Sequence, residues 1–429
     1  MRVLMFGWEF PPHISGGLGT ACYGMTKGLA HHGVEVLFVM PSASGDEDQS
    51  AVRIINASDV AVYDTCHNVD EFLGKVDFLR VGTNIRPYID PVSYSELVEE
   101  ERKYQSEEFK TYFKQKFKFS GKYGKNLMEE VSRYAMVAGA IAMENSFDVI
   151  HAHDWLTYLA GIAAKRVSGK PLVVHVHATE FDRGANVNPD VFRLERMGME
   201  EADRVITVSN LTRNIVINKY GIDPSKVVTV HNAVDFSGRS DLSVQRGVRE
   251  KVITFLGRIT FQKGPEYFIE AANKVLKMYP DVRFVMAGSG DLMNSSIRRV
   301  AQLGISNRFH FTGFLRGEDV QRMFAYSDVY VMPSVSEPFG ISPLEAMKSN
   351  VPTIISKQSG VAEVLKYAIK VNFWDVDALA DAMYGLLAYP ALSKVASSRG
   401  LDEVNSLKWD NAALKMTKVY QEAIDSMKR

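Results

Sequence analysis

Within SVSEPFGISPLEAMKSN, residues 334–350, two carboxylates, Glu337 and Glu345, lie eight residues apart around a turn. Pro338 biases Glu337 away from helical geometry, which sets that carboxylate on a loop. Pro343 is tolerated in the first turn of a helix, so a helix opens near Ile341 or Ser342. Glu345 then belongs to the early turns, its side chain leaning back toward the helix start. The backbone N–H groups of Gly340 and Ile341 are left pointing outward, as at other helix starts that receive anions. Two carboxylates and a row of free amides at one helix start can hold a sugar, a diphosphate and a ribose.

Three further groupings could do chemistry. Gly16, Gly17 and Gly19 follow WEFPPHIS and precede an amphipathic helix. They allow either close backbone approach to an anion or merely a tight turn, and their spacing fails the dinucleotide fingerprint. Arg258 and Lys263, in FLGRITFQKGPE, are five apart between a strand end and a helix start. Both could reach one diphosphate, the arginine in bidentate fashion, or both could be solvated loop cations. His151, His153 and Asp154, then His175 and His177, have the alternate spacing that puts strand residues on one face. A divalent-metal hydrolase is therefore a rival reading. Against it, the two histidine pairs end different strands, and no HxxxH helix or downstream acidic cluster completes a metal shell.

These residues need elements to position them. VLMF at 3–6, VEVLFVM at 34–40, DVIHAH at 148–153, LVVHVH at 172–177 and RVITVS at 204–209 read as buried parallel strands. Helical patterns over 20–32, 156–168 and 210–219 separate them. Polar residues 236–250 read as a linker, and the alternation then restarts. Strands at 252–257, 283–288, 308–313, 329–333 and 353–356 alternate with helices near 265–278, 293–304, 317–326 and 342–349. The pattern predicts an α/β protein of two doubly wound domains, 1–235 and 250–407, facing across a cleft. Ligands of such sheets bind beyond the carboxyl ends of the strands, where most of the residues above fall. A final helix, 408–427, places Trp409, Met416, Val419, Tyr420, Ala423, Ile424 and Met427 on one face.

The 429 residues, 46% hydrophobic and 24% charged, suit two or three folded domains, and the net charge of −1 argues against a whole-surface nucleic-acid binder. Cys22 and Cys66 are the only cysteines, which fits a reducing cytoplasm without a disulfide framework. The start lacks a signal-peptide pattern, and no apolar run is long enough for a transmembrane helix. Residues 109–125, FKTYFKQKFKFSGKYGK, carry six lysines and six aromatics and no acid. They could touch a membrane surface or an acceptor, or pair with the acidic run before them; nucleic acid is the disfavoured partner. Oligomeric state is left open.

Taken in order, SGGLG, HAHDW, HVHATEFDR, TVSN, HNAVD, GR-x4-KG, EPFGISPLEAM and SGVAEVL span nearly the whole chain. The set resembles the retaining, nucleotide-sugar-dependent glycosyltransferases of family 4, the glycosyl transferases group 1, which have the GT-B fold of two Rossmann-like domains. That resemblance implies a C-terminal helix, 408–429, crossing back to the N-terminal domain. It implies that Arg258 and Lys263 bind the donor diphosphate, and that Glu337 contacts the transferred sugar. Gly340 and Ile341 amides would lie near sugar or phosphate, and Glu345 would hold the ribose. His177 would sit beside the anomeric centre with Asp154 close by, and Gly16 and Gly17 would lie against donor phosphate or sugar. No metal and no cofactor beyond a UDP- or ADP-sugar donor is implied.

The chain also resembles bacterial glycogen and starch synthases in WEFPP…GGLG and HAHDW. It departs from them at Ile14-Ser15, where their phosphate-binding lysine is missing, and in having Glu345. Transfer of glucose to a glycan acceptor is the leading expectation. The alternatives are a lipid-linked or cell-envelope acceptor, a metal-dependent hydrolase, and a non-catalytic glycan-binding protein.

Overall fold

The structure is a computed structural model, and it describes residues 1–13, 17–62, 115–121, 124, 126–184, 186–234 and 247–427. Gly16, Cys66, residues 236–246 of the expected linker and residues 109–114 of the basic aromatic stretch lie outside the described residues.

The strands in chain order are β1 (Arg2–Phe6), β2 (Glu35–Met40), β3 (Arg53–Asn56), β4 (Ala61–Val62), β5 (Gln115–Lys116), β6 (Val149–His153), β7 (Leu172–Val176), β8 (Arg204–Thr207) and β9 (Val227–Thr229). The second half adds β10 (Lys251–Leu256), β11 (Val282–Ala287), β12 (Phe309–Gly313), β13 (Val329–Met332), β14 (Thr353–Ser356) and β15 (Ile369–Val371). They form a seven-stranded parallel sheet ordered β3-β2-β1-β6-β7-β8-β9 and a six-stranded one ordered β12-β11-β10-β13-β14-β15. A short β4-β5 antiparallel pair stands apart. The two doubly wound units expected from the alternation are present.

Because strand side chains alternate, each sheet feeds two cores. In the first sheet Leu4, Phe6, Ile150, Ala152, Leu172 and Val174 face the helices Leu127–Glu144, Trp155–Ser168 and Pro189–Glu201. Val3, Met5, Phe38, Val149, Val173 and Ile206 face the helix Gly17–His31 and the last helix, Trp409–Ser426. In the second sheet Ile253, Phe255, Phe284 and Val331 face the helices Pro265–Met278 and Val376–Ala388.

The last helix thus crosses back to the first domain, as expected. Trp409, Met416, Val419, Tyr420 and Ala423 are buried there. Met427 was expected on the same face, but it caps the helix and is 49% exposed. The indole of Trp409 lies so close to Gly24 that a Cβ added there would meet its Nε1 at 2.1 Å. His31 Nδ1 and His32 Nε2 reach Asp410 Oδ1 and O at 2.7 and 2.8 Å, tying the helix start to the first domain.

Phe117 and Phe119 of the basic aromatic stretch are buried in the first core, Arg133 lies over the Phe117 ring, and Glu130 accepts from Ser120 and Gly121. These two aromatics serve packing; residues 109–114, 122, 123 and 125, with the other four aromatics of the stretch, lie outside the described residues. No helix among the described residues is long and apolar enough to cross a membrane.

The domains meet through a carboxylate clamp. Glu363 accepts from the Asn210 and Leu211 amides at 2.9 and 2.7 Å, at the start of the helix Asn210–Tyr220. His231 Nε2 lies 2.9 Å from the same carboxylate. A carboxylate on free amides at a helix start is a favourable placement, about 1.5–3 kcal/mol for a charged hydrogen bond. Replacing Glu363 by Ala is expected to raise amide exchange at 210–212 about tenfold while the rest of both domains stays protected, as hydrogen-exchange mass spectrometry would show. Unchanged exchange there would mean that the clamp carries no energy.

Candidate active site

The carboxyl ends of both sheets open on one cleft of ≈ 1130 Å³. From the first domain it is lined by Glu9, Gly17, Asp154, Trp155, His177 and Arg183. From the second come Arg258, Lys263, Arg316, Glu337, Gly340, Ile341 and Glu345. Every described residue singled out from the sequence for donor binding or catalysis therefore lies on one surface.

Glu337 follows β13 on a loop fixed from both sides. Its amide donates to Gln358 O at 3.0 Å, and its carbonyl accepts from Gly360 at 2.9 Å. Ser336 Oγ, next to it, donates to Asp182 Oδ1 of the first domain at 2.6 Å. The Glu337 side chain is 8% exposed and ion-paired with Lys263, itself 18% exposed. A pairing across 74 residues of chain could not be read from the local spacing. Ser334 Oγ adds a long contact to the same carboxylate oxygen, 3.4 Å. Arg258 Nη2 donates to Gln262 Oε1 at 3.0 Å, which holds its guanidinium beside the pair.

The helix start comes as predicted: Ser342–Lys348, with Pro343 in its first turn. Gly340 has φ +99°, where side chains are strained, so the chain can turn here only with glycine. Neither the Gly340 nor the Ile341 amide donates to a protein group among the described residues. Burial pushes the Glu345 carboxyl above its ordinary pKa, with Lys348 opposing. Gly17 faces this turn from the other domain: a Cβ there would meet Ile341 Cδ1 at 3.9 Å.

Across the cleft, Asp154 caps the end of β6 with φ 56°, an unusual backbone for a residue with a side chain. Its Oδ1 accepts from the His177 and Ala178 amides at 2.7 and 3.3 Å. That bond fixes the end of β7 and so aims His177. Desolvation raises the Asp154 carboxyl to about 7, with Arg183 opposing, and burial lowers His177 to about 3. His177 is therefore a neutral imidazole, with Nε2 at 2.9 Å from His153 Nδ1.

Because β6 and β7 are neighbours with His153 opposite His175, the two histidine pairs share one sheet face. Only His177 of the four lines the cleft. His151, His153 and His175 are 0%, 0% and 1% exposed, between the sheet and the last helix. The hydrolase reading needs a metal open to substrate. These three do not provide one.

Sequence reasoning missed Glu9, Arg183, Phe314 and Arg316. Glu9 accepts from the Gly19 amide at 3.3 Å, and so occupies the start of the first helix that the glycines had suggested for an anion. Arg183 is held by Glu180 and Glu195 at 3.0 and 2.9 Å. Arg316 lies over the Phe314 ring, 5.2 Å from its centroid, just past β12. The strand-end rule applied to β12 would have found that pair.

The starch synthase catalytic domain family matches residues 2–230, and the glycosyl transferases group 1 family matches 242–400. An uncharacterized glycosyltransferase of Methanocaldococcus jannaschii is 28% identical over 455 residues, covering 100% of both chains. A glycogen synthase of Mycobacterium tuberculosis is 24% identical over 450 residues, 98% of this chain and 94% of the relative. Among solved structures, sucrose-phosphate synthase from Thermosynechococcus elongatus superposes with a TM-score of 0.71 at 18% identity, over 99% of each chain. Anabaena HepE in complex with UDP and glucose gives 0.68 at 16%, over 98% of this chain and 100% of that one. The likeness of shape shows the GT-B fold. With residues 2–230 matched, more than half its length, the chain belongs to the starch synthase catalytic-domain family of GT-B glycosyltransferases, its second half being of the group 1 type.

Proposed function

We propose that the protein moves a hexose, glucose foremost, from a UDP- or ADP-sugar to a glycan acceptor with retention of anomeric configuration, in the cytoplasm. The observation that carries this reading is the paired Lys263 and Glu337, flanked by Arg258 and the free amides of Gly340 and Ile341, opposite His177. Breaking a glycosyl–phosphate bond builds negative charge on the leaving diphosphate and positive charge on the sugar ring. Arg258, Lys263 and the two amides would meet the first charge, and Glu337 the second, without reorganisation. In this reading two cations do the work that a divalent metal does elsewhere, and Glu345 holds the ribose. That HepE was solved with UDP and glucose supports a nucleotide-sugar donor, and the glycogen synthase relative supports a glucan acceptor.

Retention has its own support. An inverting transfer needs a base beside the acceptor hydroxyl. His177 is a poor one, held near 3 with one nitrogen at His153. In this reading the leaving phosphate accepts the proton, and Asp154, whose Oδ1 takes two amides, holds the end of β7.

A panel of nucleotide sugars in a thermal-shift assay tests the donor, since a ligand at 100 times its dissociation constant adds about 2.7 kcal/mol. Release of nucleoside diphosphate on adding a glucan, with an α-linked product from an α-donor, is the expected result. Glycan binding with no nucleotide-sugar shift and no diphosphate release would show a binding protein instead.

A further inference from the structure

Behind His177 lies a group of side chains that the transfer reaction does not use. Four ring nitrogens there, His151 Nε2, His153 Nε2 and both nitrogens of His175, are buried without a partner among the described residues. An unsatisfied buried polar atom costs about 1–3 kcal/mol, so four in one place demand an occupant. We propose that His151, His153 and His175 form an internal site for one divalent transition-metal ion of the zinc class, between the first sheet and the C-terminal helix.

The geometry supports this in three ways. One ligand atom from each of the three residues can be chosen so that all lie within 4.8 Å of one another. Tetrahedral ligands at 2.0–2.1 Å stand about 3.4 Å apart, so the rings must turn to close the site, those of His151 and His175 from a stacked arrangement with 10° between their planes. The remaining nitrogens of two rings are already held from outside: His151 Nδ1 lies 2.6 Å from the Tyr420 hydroxyl, and His153 Nδ1 lies 2.9 Å from His177 Nε2. Metal-binding histidines are oriented in this way, the far nitrogen engaged and the near one presenting its lone pair. The donor set is imidazole only, which suits zinc, cobalt, nickel or copper and not magnesium or calcium. A water would take the fourth position, and the nearest buried carboxylate in sequence is Asp154, next to His153.

The site has a consequence at the cleft. With Nε2 of His153 on the ion, its Nδ1 must carry the proton and donate to His177 Nε2. His177 would then present an N–H, not a lone pair, to whatever lies in the cleft. The ion would also join β6, β7 and, through Tyr420, the last helix. None of this depends on the glycosyl-transfer reading.

The experiment uses the untagged full chain, stripped by chelator and dialysed. Titration with Co2+ is followed by visible absorption, and Zn2+ stoichiometry is measured by equilibrium dialysis with elemental analysis. The expected result is one saturable Co2+ site per chain with the strong visible band of four-coordinate cobalt, displaced by Zn2+, and a higher Tm with Zn2+. The band should be lost in His175→Gln and kept in a His31→Gln/His32→Gln double variant, which removes the exposed histidine pair of the first helix's end. No saturable site in the wild-type chain, or only the weak spectrum of six-coordinate cobalt, would overturn the proposal and leave buried water as the occupant. A site kept in His175→Gln, or lost with the exposed pair, would overturn it equally. If His175→Gln does not fold, the wild-type spectrum and stoichiometry still decide.

Discussion

Lys263→Ala is expected to lower kcat/KM for the nucleotide sugar roughly 100- to 1000-fold, a loss of about 2.7–4 kcal/mol of transition-state stabilisation. Arg258→Ala and Glu337→Ala should act in the same direction and to a similar order, as steady-state kinetics on the purified variants would measure. Lys263 carries a second expectation because it is paired with a nearly buried carboxylate. Removing the cation alone strands the charge of Glu337, a situation that costs about 3–5 kcal/mol when a buried pair is broken. Lys263→Ala should therefore lose stability as well as activity. Adding Glu337→Gln to it should return much of the Tm and none of the turnover. Near-normal activity in all three single variants would sink the site assignment. Recovery of activity in the double variant would show that Lys263 serves only to neutralise Glu337.

Gly24→Ala should produce a large loss of stability for the smallest change of side chain. A Cβ at this position would lie 2.1 Å from Trp409 Nε1 and 2.4 Å from its Cε2, distances that no relaxation of the methyl itself can relieve. The first helix, the last helix or the indole must move, and overpacking of this kind costs about 1–3 kcal/mol. Trp409→Ala on its own empties the same spot, with a cost of about 3–5 kcal/mol typical for a buried tryptophan. The double variant should be more stable than the sum of the two losses predicts, because the methyl then occupies space the indole has left. Simple additivity in urea denaturation would show that the two residues do not share that space.

Much of this architecture was legible in the sequence because it rests on short-range rules. Buried parallel strands announce themselves as β-branched runs, and Pro338, Gly340 and Pro343 fix one turn and one helix start within a few residues of each other. β9 and β15 were missed because three residues, VVT or IKV, are too few to show a period. The long helix Leu127–Glu144 was passed over beside the basic stretch before it, although its apolar residues recur at helical spacing. What depends on distant pairing was not legible. The Lys263–Glu337 contact, the Glu363 clamp and the meeting of His151, His153 and His175 all follow from which strands and loops become neighbours. The glycines of the first loop were legible as a tight approach, but nothing local said that Glu9 would occupy the helix start behind them.

The crossing of the last helix makes the second domain an insertion in the first. The chain leaves near Val234 and returns near Leu407, whose carbonyl accepts from the Val234 amide at 3.4 Å. Residues 2 and 426 consequently belong to one rigid unit, with Arg204 at the start of β8 bonded to Glu422 of the last helix. Fluorophores placed at those two positions would report no change when the cleft opens or shuts, whereas one end and a label on the second sheet would. The same connectivity bears on dissection. Residues 1–234 expressed alone would expose the sheet face that Trp409, Met416 and Tyr420 cover, and would need the 409–426 segment supplied as a peptide to complete their core.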